Sequence, residues 1–154
     1  MKAAIFTLDT EGYVAKKESQ TGLVLKRMLE QIGYEVIAVR VIPRDQKVAA
    51  SILKRVADDH SADLILTTGA VGYTQSDCAP DALSEVADRL LPGIPEAIRA
   101  YMLRYKKNAM LNRAVAGIRG TTVMLNLSEE VQMAQGSLEY ILPELTQAVE
   151  MLNL

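Results

Sequence analysis

Short, continuously apolar segments alternate along this chain with longer segments whose apolar residues recur every three or four positions. Four of the short segments are rich in β-branched and aliphatic residues and lie at 3–8, 35–42, 64–67 and 121–127. Continuous apolarity over four to eight residues is typical of strands covered on both faces, as in a parallel sheet. The alternation therefore predicts an α/β fold with an open, mainly parallel sheet and helices on both sides.

Helical spacing fills the intervals between these predicted strands. After the first strand the apolar stripe consists of Leu25, Met28, Leu29 and Ile32. Gly33 follows it, where a left-handed residue commonly ends a helix. Two further stripes, at 48–57 and 83–91, predict helices on either side of the third strand, and Pro92 ends the second of them. A last helical stripe runs from 138 to 152.

The length and the residue content limit the classes of protein. A chain of 154 residues without a linker, a low-complexity stretch or an internal repeat is expected to form one domain, 1–154. Cys78 and His60 are the only cysteine and histidine, so a disulfide framework and a Cys/His zinc cluster are excluded, and a reducing, cytoplasmic location is expected. No apolar run approaches the roughly 18 residues of a membrane span, so no membrane partner is expected.

The charge is unevenly distributed. Between residues 97 and 128 there is no acidic residue, whereas six basic residues lie there: Arg99, Arg104, Lys106, Lys107, Arg113 and Arg119. Only Tyr101 and Tyr105 offer aromatic rings in this segment, so it lacks the basic, stacking surface of nucleic-acid-binding proteins, and no nucleic-acid partner is expected. A site for a phosphorylated small molecule, a solvated helix face and a subunit interface remain as alternatives.

The segment after the third predicted strand has the composition of an anion-binding loop. It reads Thr67-Thr68-Gly69-Ala70-Val71-Gly72 and continues to Asp77, just before Pro80 opens a helix. Glycines allow close backbone approach, and hydroxyl and amide groups near a helix start hold anions. A tight strand-to-helix turn uses glycine as well. Asp77 is either a ligand for a magnesium ion that bridges phosphates or a residue that caps the turn.

Six short motifs follow one another from this loop to the last strand. They are Thr67-Thr68-Gly69-Ala70-Val71-Gly72, Asp77 with Pro80-Asp81-Ala82, Pro92-Gly93 with Glu96 and Arg99, Ala109 with Leu111-Asn112-Arg113, Ala116-Gly117, and Leu125-Asn126-Leu127. In order and spacing they resemble the patterns T-T-G-G-T-G, D-x-T-P-E-A, P-G-x-x-E-x-x-R, A-x-L-S-R, A-G and L-N-L-P-G-S-P. These patterns belong to the molybdopterin adenylyltransferase family of molybdenum cofactor biosynthesis, also found as a domain in gephyrin-type proteins.

This resemblance implies a fold, an activity and a set of site residues. The fold is a three-layer α/β/α sandwich that assembles into a homotrimer or hexamer. The activity is adenylylation of the terminal phosphate of molybdopterin, with Mg²⁺ and ATP as cofactors and molybdopterin as substrate or ligand. The implied site residues are Asp77 (catalytic and metal-binding), Asp45 (catalytic), and Thr67, Thr68, Gly69, Gly72, Thr21 and Arg113 (substrate-binding).

Several positions depart from the family pattern. Arg44 stands at the second acidic position, with Asp45 one residue later, so a metal at Asp77 loses a carboxylate and gains a nearby cation. Ala70 and Val71 replace glycine and threonine, which removes a hydroxyl from the loop. These changes leave three interpretations open. The chain is an active adenylyltransferase, a non-catalytic pterin- or nucleotide-binding paralogue that acts as a carrier, scaffold or regulator, or a protein whose pocket is rebuilt for another anionic metabolite with the basic segment around Arg113.

The segment before the last helix also departs from the pattern. Ser128-Glu129-Glu130 replaces the family's P-G-S. A neutral helix N-terminus attracts phosphate, whereas two carboxylates compete for the same amides. The local sequence equally predicts a helix capped by Ser128 with both glutamates in its first turn.

Overall fold

The computed structural model describes residues 1–154 and contains six strands and six α-helices. The strands are β1 (Lys2–Leu8), β2 (Glu35–Ile42), β3 (Leu64–Thr68), β4 (Arg89–Leu90), β5 (Ala116–Arg119) and β6 (Thr122–Leu127). The helices are α1 (Thr10–Val14), α2 (Gln20–Gln31), α3 (Gln46–Asp58), α4 (Ala79–Val86), α5 (Gly93–Leu103) and α6 (Val131–Leu152). A single 3-10 turn occupies Lys107–Leu111.

One six-stranded sheet with the order β2-β1-β3-β6-β5-β4 forms the centre of the fold. The first four strands of this order are parallel, β5 runs antiparallel to β6, and β4 runs antiparallel to β5. The predicted α/β fold with a mostly parallel sheet is confirmed. The carboxyl ends of the four parallel strands, at Leu8, Ile42, Thr68 and Leu127, lie at one edge of the sheet, where α/β proteins bind ligands.

Two hydrophobic clusters cover the two faces of the sheet. In β1 the alternation is direct, because Ala3 and Ile5 belong to one cluster and Ala4 and Phe6 to the other. The first cluster packs against α2, α5 and α6, and the second against α3 and α4. Continuous apolarity in the sequence therefore reflects burial on both faces in β1, β3 and β6, whereas the edge strand β2 is only partly buried. No helix combines the length and the apolar character that a bilayer crossing needs.

The predicted helix over 83–91 is wrong in its second half. The helix α4 ends at Val86, and Arg89–Leu90 form the edge strand β4. The amides of Asp88 and Leu91 donate to the carbonyls of Ile118 (2.7 Å) and Ala116 (2.8 Å). These long-range hydrogen bonds outweigh the local helical spacing. They also define β5, a strand that the sequence patterns did not predict.

Gly117 lets the strands β4 and β5 approach each other. A Cβ atom at this position would lie 2.8 Å from the carbonyl oxygen of Arg89 and 2.9 Å from the Cβ of Ala87. Real Cβ atoms are not found so close to backbone oxygens, so only glycine fits. The Ala116-Gly117 motif therefore has a packing role in the sheet.

The expected capping of the last helix by Ser128 is also wrong. The helix α6 begins at Val131 and its N-cap residue is Glu130, whose side chain makes no capping hydrogen bond. Ser128 Oγ instead accepts a hydrogen bond from the amide of Glu130 at 3.2 Å. Glu129 and Glu130 thus precede the first helical turn, and their carboxylates pair with cations from other segments.

Candidate functional site

Four loops meet at the carboxyl edge of the parallel strands. They follow β1, β2, β3 and β6, and each contributes a polar group to one cluster: the carbonyl of Leu8, the guanidinium of Arg44 and the carboxylates of Asp77 and Glu129. The sequence predicted an anion-binding loop after the third strand, and the fold brings this loop together with the ends of the neighbouring parallel strands.

The loop after β3 has an unusual backbone. Gly69 and Ala70 both have positive φ angles, +85° and +58°. Ala70 is the strained member, because a side chain disfavours the left-handed region, and the hydrogen bond from the Ala79 amide to its carbonyl (3.1 Å) holds it there. The amides of Ala70, Val71 and Tyr73 donate no hydrogen bond within the chain. Successive unpaired amides in such a turn are well suited to binding an anion.

The hydroxyls of Thr67 and Thr68 are buried and hydrogen-bonded within the sheet. Asn126 Nδ2 donates to Thr67 Oγ1 at 2.7 Å, and Thr68 Oγ1 lies 2.8 Å from Thr7 Oγ1. Both side chains therefore join neighbouring strands just before the loop begins. The hydroxyls therefore already have hydrogen-bond partners within the chain. Their predicted phosphate-binding role stays a prediction.

Asp77 closes the loop. Its Oδ2 accepts hydrogen bonds from the amide (3.0 Å) and the hydroxyl (2.7 Å) of Thr74. Partial burial raises the pKa of this carboxyl, but the Thr74 hydrogen bonds and the nearby Arg44 charge together outweigh it, and the pKa lies below its usual range. Asp77 is consequently an anion whose position is set by the loop. It does not cap α4, whose N-cap residue is Cys78.

Arg44 binds the carboxylates that come from two different loops. Its Nη2 donates to Glu129 Oε2 at 3.0 Å, and its Nη1 lies 3.6 Å from Asp77 Oδ1. Its Nε donates to the Leu8 carbonyl at 3.3 Å, and its own amide donates to Thr10 Oγ1 at 2.9 Å. The sequence placed a cation near Asp77, and the structure shows that this cation is the direct partner of Asp77.

The groups around Asp77 do not fit a protein-held magnesium ion. Mg²⁺ requires near-octahedral oxygen ligands, whereas one oxygen of Asp77 is used by Thr74 and the other faces a guanidinium. No three His, Cys, Asp or Glu side chains lie close enough together to hold one ion. Asp45 caps α3, with Oδ1 accepting from the Val48 amide at 3.1 Å. The metal-binding role of Asp77 and the catalytic role of Asp45 stay predictions that this geometry does not favour.

The remaining predicted site residues support the loops from outside. Thr21 Oγ1 donates to the carbonyl of Glu129 at 2.7 Å and so fixes the segment before α6. Arg113 Nη2 donates to Asp81 Oδ1 at 2.9 Å, and its Nη1 reaches the Asp77 carbonyl at 3.2 Å. Both residues stand next to the loops that form the edge cluster. Their substrate-binding role stays a prediction.

A pocket of about 310 Å³ opens beside the loop after β3. Val71, Gly72 and Tyr73 of this loop line the pocket, together with the segment 128–130. The other lining residues are Met102, Lys106, Asn108, Ala109, Leu111, Asn112 and Met133. Apolar side chains beside amide and charged groups are the usual lining of a pocket for a heterocyclic ligand. Sequence patterns missed this lining, because the pocket forms only where the segments 71–73, 102–112 and 128–133 meet in the fold.

The basic segment is largely paired within the chain. Arg99 Nη1 donates to the carbonyls of Asn112 and Ala114, and three other bases form ion pairs: Lys106 with Glu130, Arg113 with Asp81, and Arg119 with Asp58. Of these, Lys106 lines the pocket. The charge excess of 97–128 therefore reflects contacts with acidic residues elsewhere in the chain more than an open basic surface.

Because Asp77 has a lowered pKa, its contribution to stability is expected to depend on pH. A carboxyl with a lowered folded-state pKa stabilises the protein above its unfolded-state pKa, and this stability is lost as the pH falls through the lower folded-state value. The difference in unfolding free energy between wild type and Asp77→Asn should be constant above about pH 5 and shrink below about pH 4. Chemical denaturation at a series of pH values measures it; a difference that grows on acidification would contradict the assignment.

One protein-family model matches most of this chain. The family model described as a probable molybdopterin binding domain matches residues 4–147. Among curated proteins, the molybdopterin adenylyltransferase of Haemophilus influenzae is 37% identical over 103 residues, covering 67% of this chain and 52% of that protein. The molybdopterin adenylyltransferase of Escherichia coli K12 is 36% identical over 103 residues, covering 67% and 53%. The chain thus spans about half the length of these curated relatives.

Solved structures share the fold over nearly the whole chain. The molybdopterin biosynthesis enzyme MoaB of Thermus thermophilus superposes with a TM-score of 0.88 at 35% identity and covers 98% of this chain and 95% of its own. The molybdopterin biosynthesis Mog protein of Mycobacterium ulcerans has a TM-score of 0.91 at 24% identity and covers 98% of both chains, which shows the shared fold alone.

Proposed function

Because this chain belongs to the probable molybdopterin binding domain family of molybdenum cofactor biosynthesis, we propose that it binds molybdopterin and transfers an adenylyl group from ATP to the terminal phosphate of this pterin. The adenylyl transfer is the activity in the names of the relatives from Haemophilus influenzae and Escherichia coli. Molybdopterin is the substrate in this proposal, and ATP is the co-substrate.

The observation that carries the proposal is the pocket beside the loop after β3. A volume of about 310 Å³ is within the range of small-molecule sites. Its apolar residues Met102, Leu111 and Met133 suit the flat ring system of a pterin, and the adjacent unpaired amides of Val71 and Tyr73 suit its phosphate. A ring site and an anion site next to each other match the two ends of a phosphorylated pterin.

The chemistry requires two phosphate groups to be held together. An oxygen of the pterin phosphate attacks the α-phosphorus of ATP and forms a new P–O bond, while the bond from this phosphorus to the bridging oxygen breaks and pyrophosphate leaves. Positioning and charge neutralisation account for most of the catalysis in such transfers. In this chain the amides of the loop after β3 position a phosphate, and the cations Arg44 and Lys106, which contact Glu129 and Glu130, offset its charge.

Three accompanying expectations stay predictions: assembly into a homotrimer or hexamer, magnesium as a cofactor, and a cytoplasmic location. Magnesium belongs in the assay because the family resemblance implies it. Because Arg44 faces Asp77, the geometry supports no catalytic step that depends on a metal ion bound by this chain.

Incubation of the protein with molybdopterin, ATP and magnesium is expected to yield adenylylated molybdopterin and pyrophosphate in equal amounts. Both products are measured, the first by mass spectrometry and the second by a coupled assay. A second measurement, the quenching of pterin fluorescence on binding, separates binding from turnover. Molybdopterin binding without release of pyrophosphate would contradict the proposed transfer and leave the non-catalytic interpretation, and absence of both would contradict the proposed function as a whole.

A matched pair of variants links the activity to this site. Asp77→Asn keeps the shape of the side chain but removes the charge that faces Arg44, so the transfer rate is expected to fall by roughly tenfold or more. Asp59→Asn makes the same chemical change at an exposed position whose side chain makes no hydrogen bond or ion pair, and it should retain the wild-type rate. Equal rates for both variants would place the activity elsewhere.

A further inference from the structure

A guanidinium stands where the family resemblance implies a metal ion. Arg44 is fixed on one side by the Leu8 carbonyl and by Asp77, whose side chain is only 14% exposed and is itself held by Thr74. We infer that Arg44 is the phosphate-binding cation of this site and takes the place of a protein-bound divalent metal. The inference rests on the proposed function, in which this edge of the sheet binds phosphate groups.

The carboxylate of Glu129 occupies the position beside Arg44 that a bound phosphate would take. Its carboxylate accepts from Arg44 Nη2 at 3.0 Å, which is the contact that a phosphate oxygen would make with the same group. Its side chain is 67% exposed, in contrast to the nearly buried Asp77. The Glu129 carboxylate is therefore free to swing into solvent, whereas Asp77 stays in place. An incoming phosphate displaces Glu129 and keeps the Asp77–Arg44 pair.

The backbone around Glu129 supports this exchange. Thr21 Oγ1 donates to the Glu129 carbonyl at 2.7 Å, so the main chain is fixed while the carboxylate moves. Gly69 lies against the same side chain, because a Cβ at Gly69 would be 3.7 Å from Glu129 Oε2. The carboxylate thus lies directly over the left-handed turn of the anion-binding loop. A phosphate in this position contacts Arg44 and the turn at the same time.

Pyrophosphate is an appropriate probe because it is a product of the proposed transfer and presents phosphate groups without the pterin. In titration calorimetry at constant ionic strength with EDTA present, wild-type protein is expected to bind pyrophosphate without any divalent metal. Arg44→Ala should weaken this affinity by roughly 10- to 100-fold, the effect of losing a charged hydrogen bond. Glu129→Gln should strengthen it by up to about fivefold, since it removes an exposed competing ion pair.

Two controls make the same chemical changes away from the site. Arg40→Ala and Glu30→Gln alter exposed residues whose side chains make no hydrogen bond or ion pair within the chain, and both should leave the pyrophosphate affinity unchanged. Wild-type binding that appears only with magnesium, an Arg44→Ala variant with wild-type affinity, or weaker binding by Glu129→Gln would each overturn the inference.

A metal titration tests the replacement directly. Electron paramagnetic resonance measures the concentration of free Mn²⁺ in the presence of protein. Wild-type protein is expected to bind no Mn²⁺. The variant Arg44→Asp places a second carboxylate beside Asp77 and should bind one Mn²⁺ ion per chain. Mn²⁺ binding by wild type that Asp77→Asn abolishes would overturn the inference, as would a folded Arg44→Asp protein without Mn²⁺ binding. If Arg44→Asp does not fold, the wild-type and Asp77→Asn titrations still decide the question. None of these binding experiments uses molybdopterin. A negative result therefore contradicts the role of Arg44 without contradicting the proposed adenylyl transfer.

Discussion

Asn126→Leu is expected to lower the free energy of unfolding by about 2–4 kcal/mol, a large share of the stability of a domain of this size. Asn126 is fully buried, and its side chain connects three segments. Its Oδ1 accepts from the Val115 amide at 3.1 Å, and its Nδ2 donates to Thr67 Oγ1 at 2.7 Å. Leucine has a similar size but leaves both partners without a hydrogen bond in a low-dielectric interior. Denaturation in urea, followed by circular dichroism, measures the change.

A double-mutant cycle separates the hydrogen bond from the packing. Thr67→Val preserves the shape of a buried side chain and removes the hydroxyl that Asn126 contacts. If the hydrogen bond between Asn126 and Thr67 is the cause, the double variant Asn126→Leu/Thr67→Val should lose less unfolding free energy than the two single variants lose together. In the double variant no polar partner is left unpaired at that contact. An Asn126→Leu variant within about 1 kcal/mol of wild type, or strict additivity, would show that the interaction has little effect.

Gly72→Ala is expected to reduce adenylyl transfer by roughly 100-fold while the fold is retained. A Cβ at Gly72 would lie 2.6 Å from Asp77 Oδ2, so the carboxylate must move. It then loses its hydrogen bonds from Thr74 and its position beside Arg44, and the loop that forms one wall of the pocket shifts. A misplacement of about 1 Å in a phosphoryl-transfer site costs two orders of magnitude in rate. Steady-state rates with molybdopterin and ATP measure the loss.

Gly93→Ala is the matched control for this variant. Gly93 begins α5, its φ is not in the left-handed region, and an added Cβ meets no atom within 4 Å. It should therefore show wild-type transfer rates and unchanged or slightly increased stability, since alanine favours helix over glycine. Equal activity in the two variants would mean that the contact between Gly72 and Asp77 does not position the reaction.

The strands β1, β3 and β6 were predictable because they are buried on both faces and therefore consist mostly of apolar residues. The edge strand β2 is only partly buried, and its run of β-branched residues made it predictable. The strand β2 begins and ends where the sequence predicts, at Glu35 and Ile42. Gly33, with a φ of +101°, ends α2 as its position indicates. The two strands β4 and β5 were not predictable in this way. Arg89 and Leu90 are exposed edge residues, and only hydrogen bonds with the segment 116–118 take them out of a helical pattern.

The candidate site was predictable in its location and its residue types. The glycine loop and Asp77 follow β3, and Arg44 follows β2, so the rule for parallel sheets places them at one edge. The partners of these groups were not predictable. Glu129 was expected in the first turn of α6 as a competitor for phosphate, whereas it lies before the helix and contacts Arg44, 85 residues away in sequence. Asp45, one residue from Arg44, instead caps α3.

The fold class, the family and the edge of the sheet that holds the candidate site follow from the sequence alone, because burial, helical spacing and motif order are properties of the local chain. Tertiary structure decided which charges meet. Arg44 contacts Asp77 and Glu129 only because three loops from separate strands converge on one edge. Since an ion pair depends on distances of about 3–4 Å between groups far apart in sequence, no local pattern specifies it.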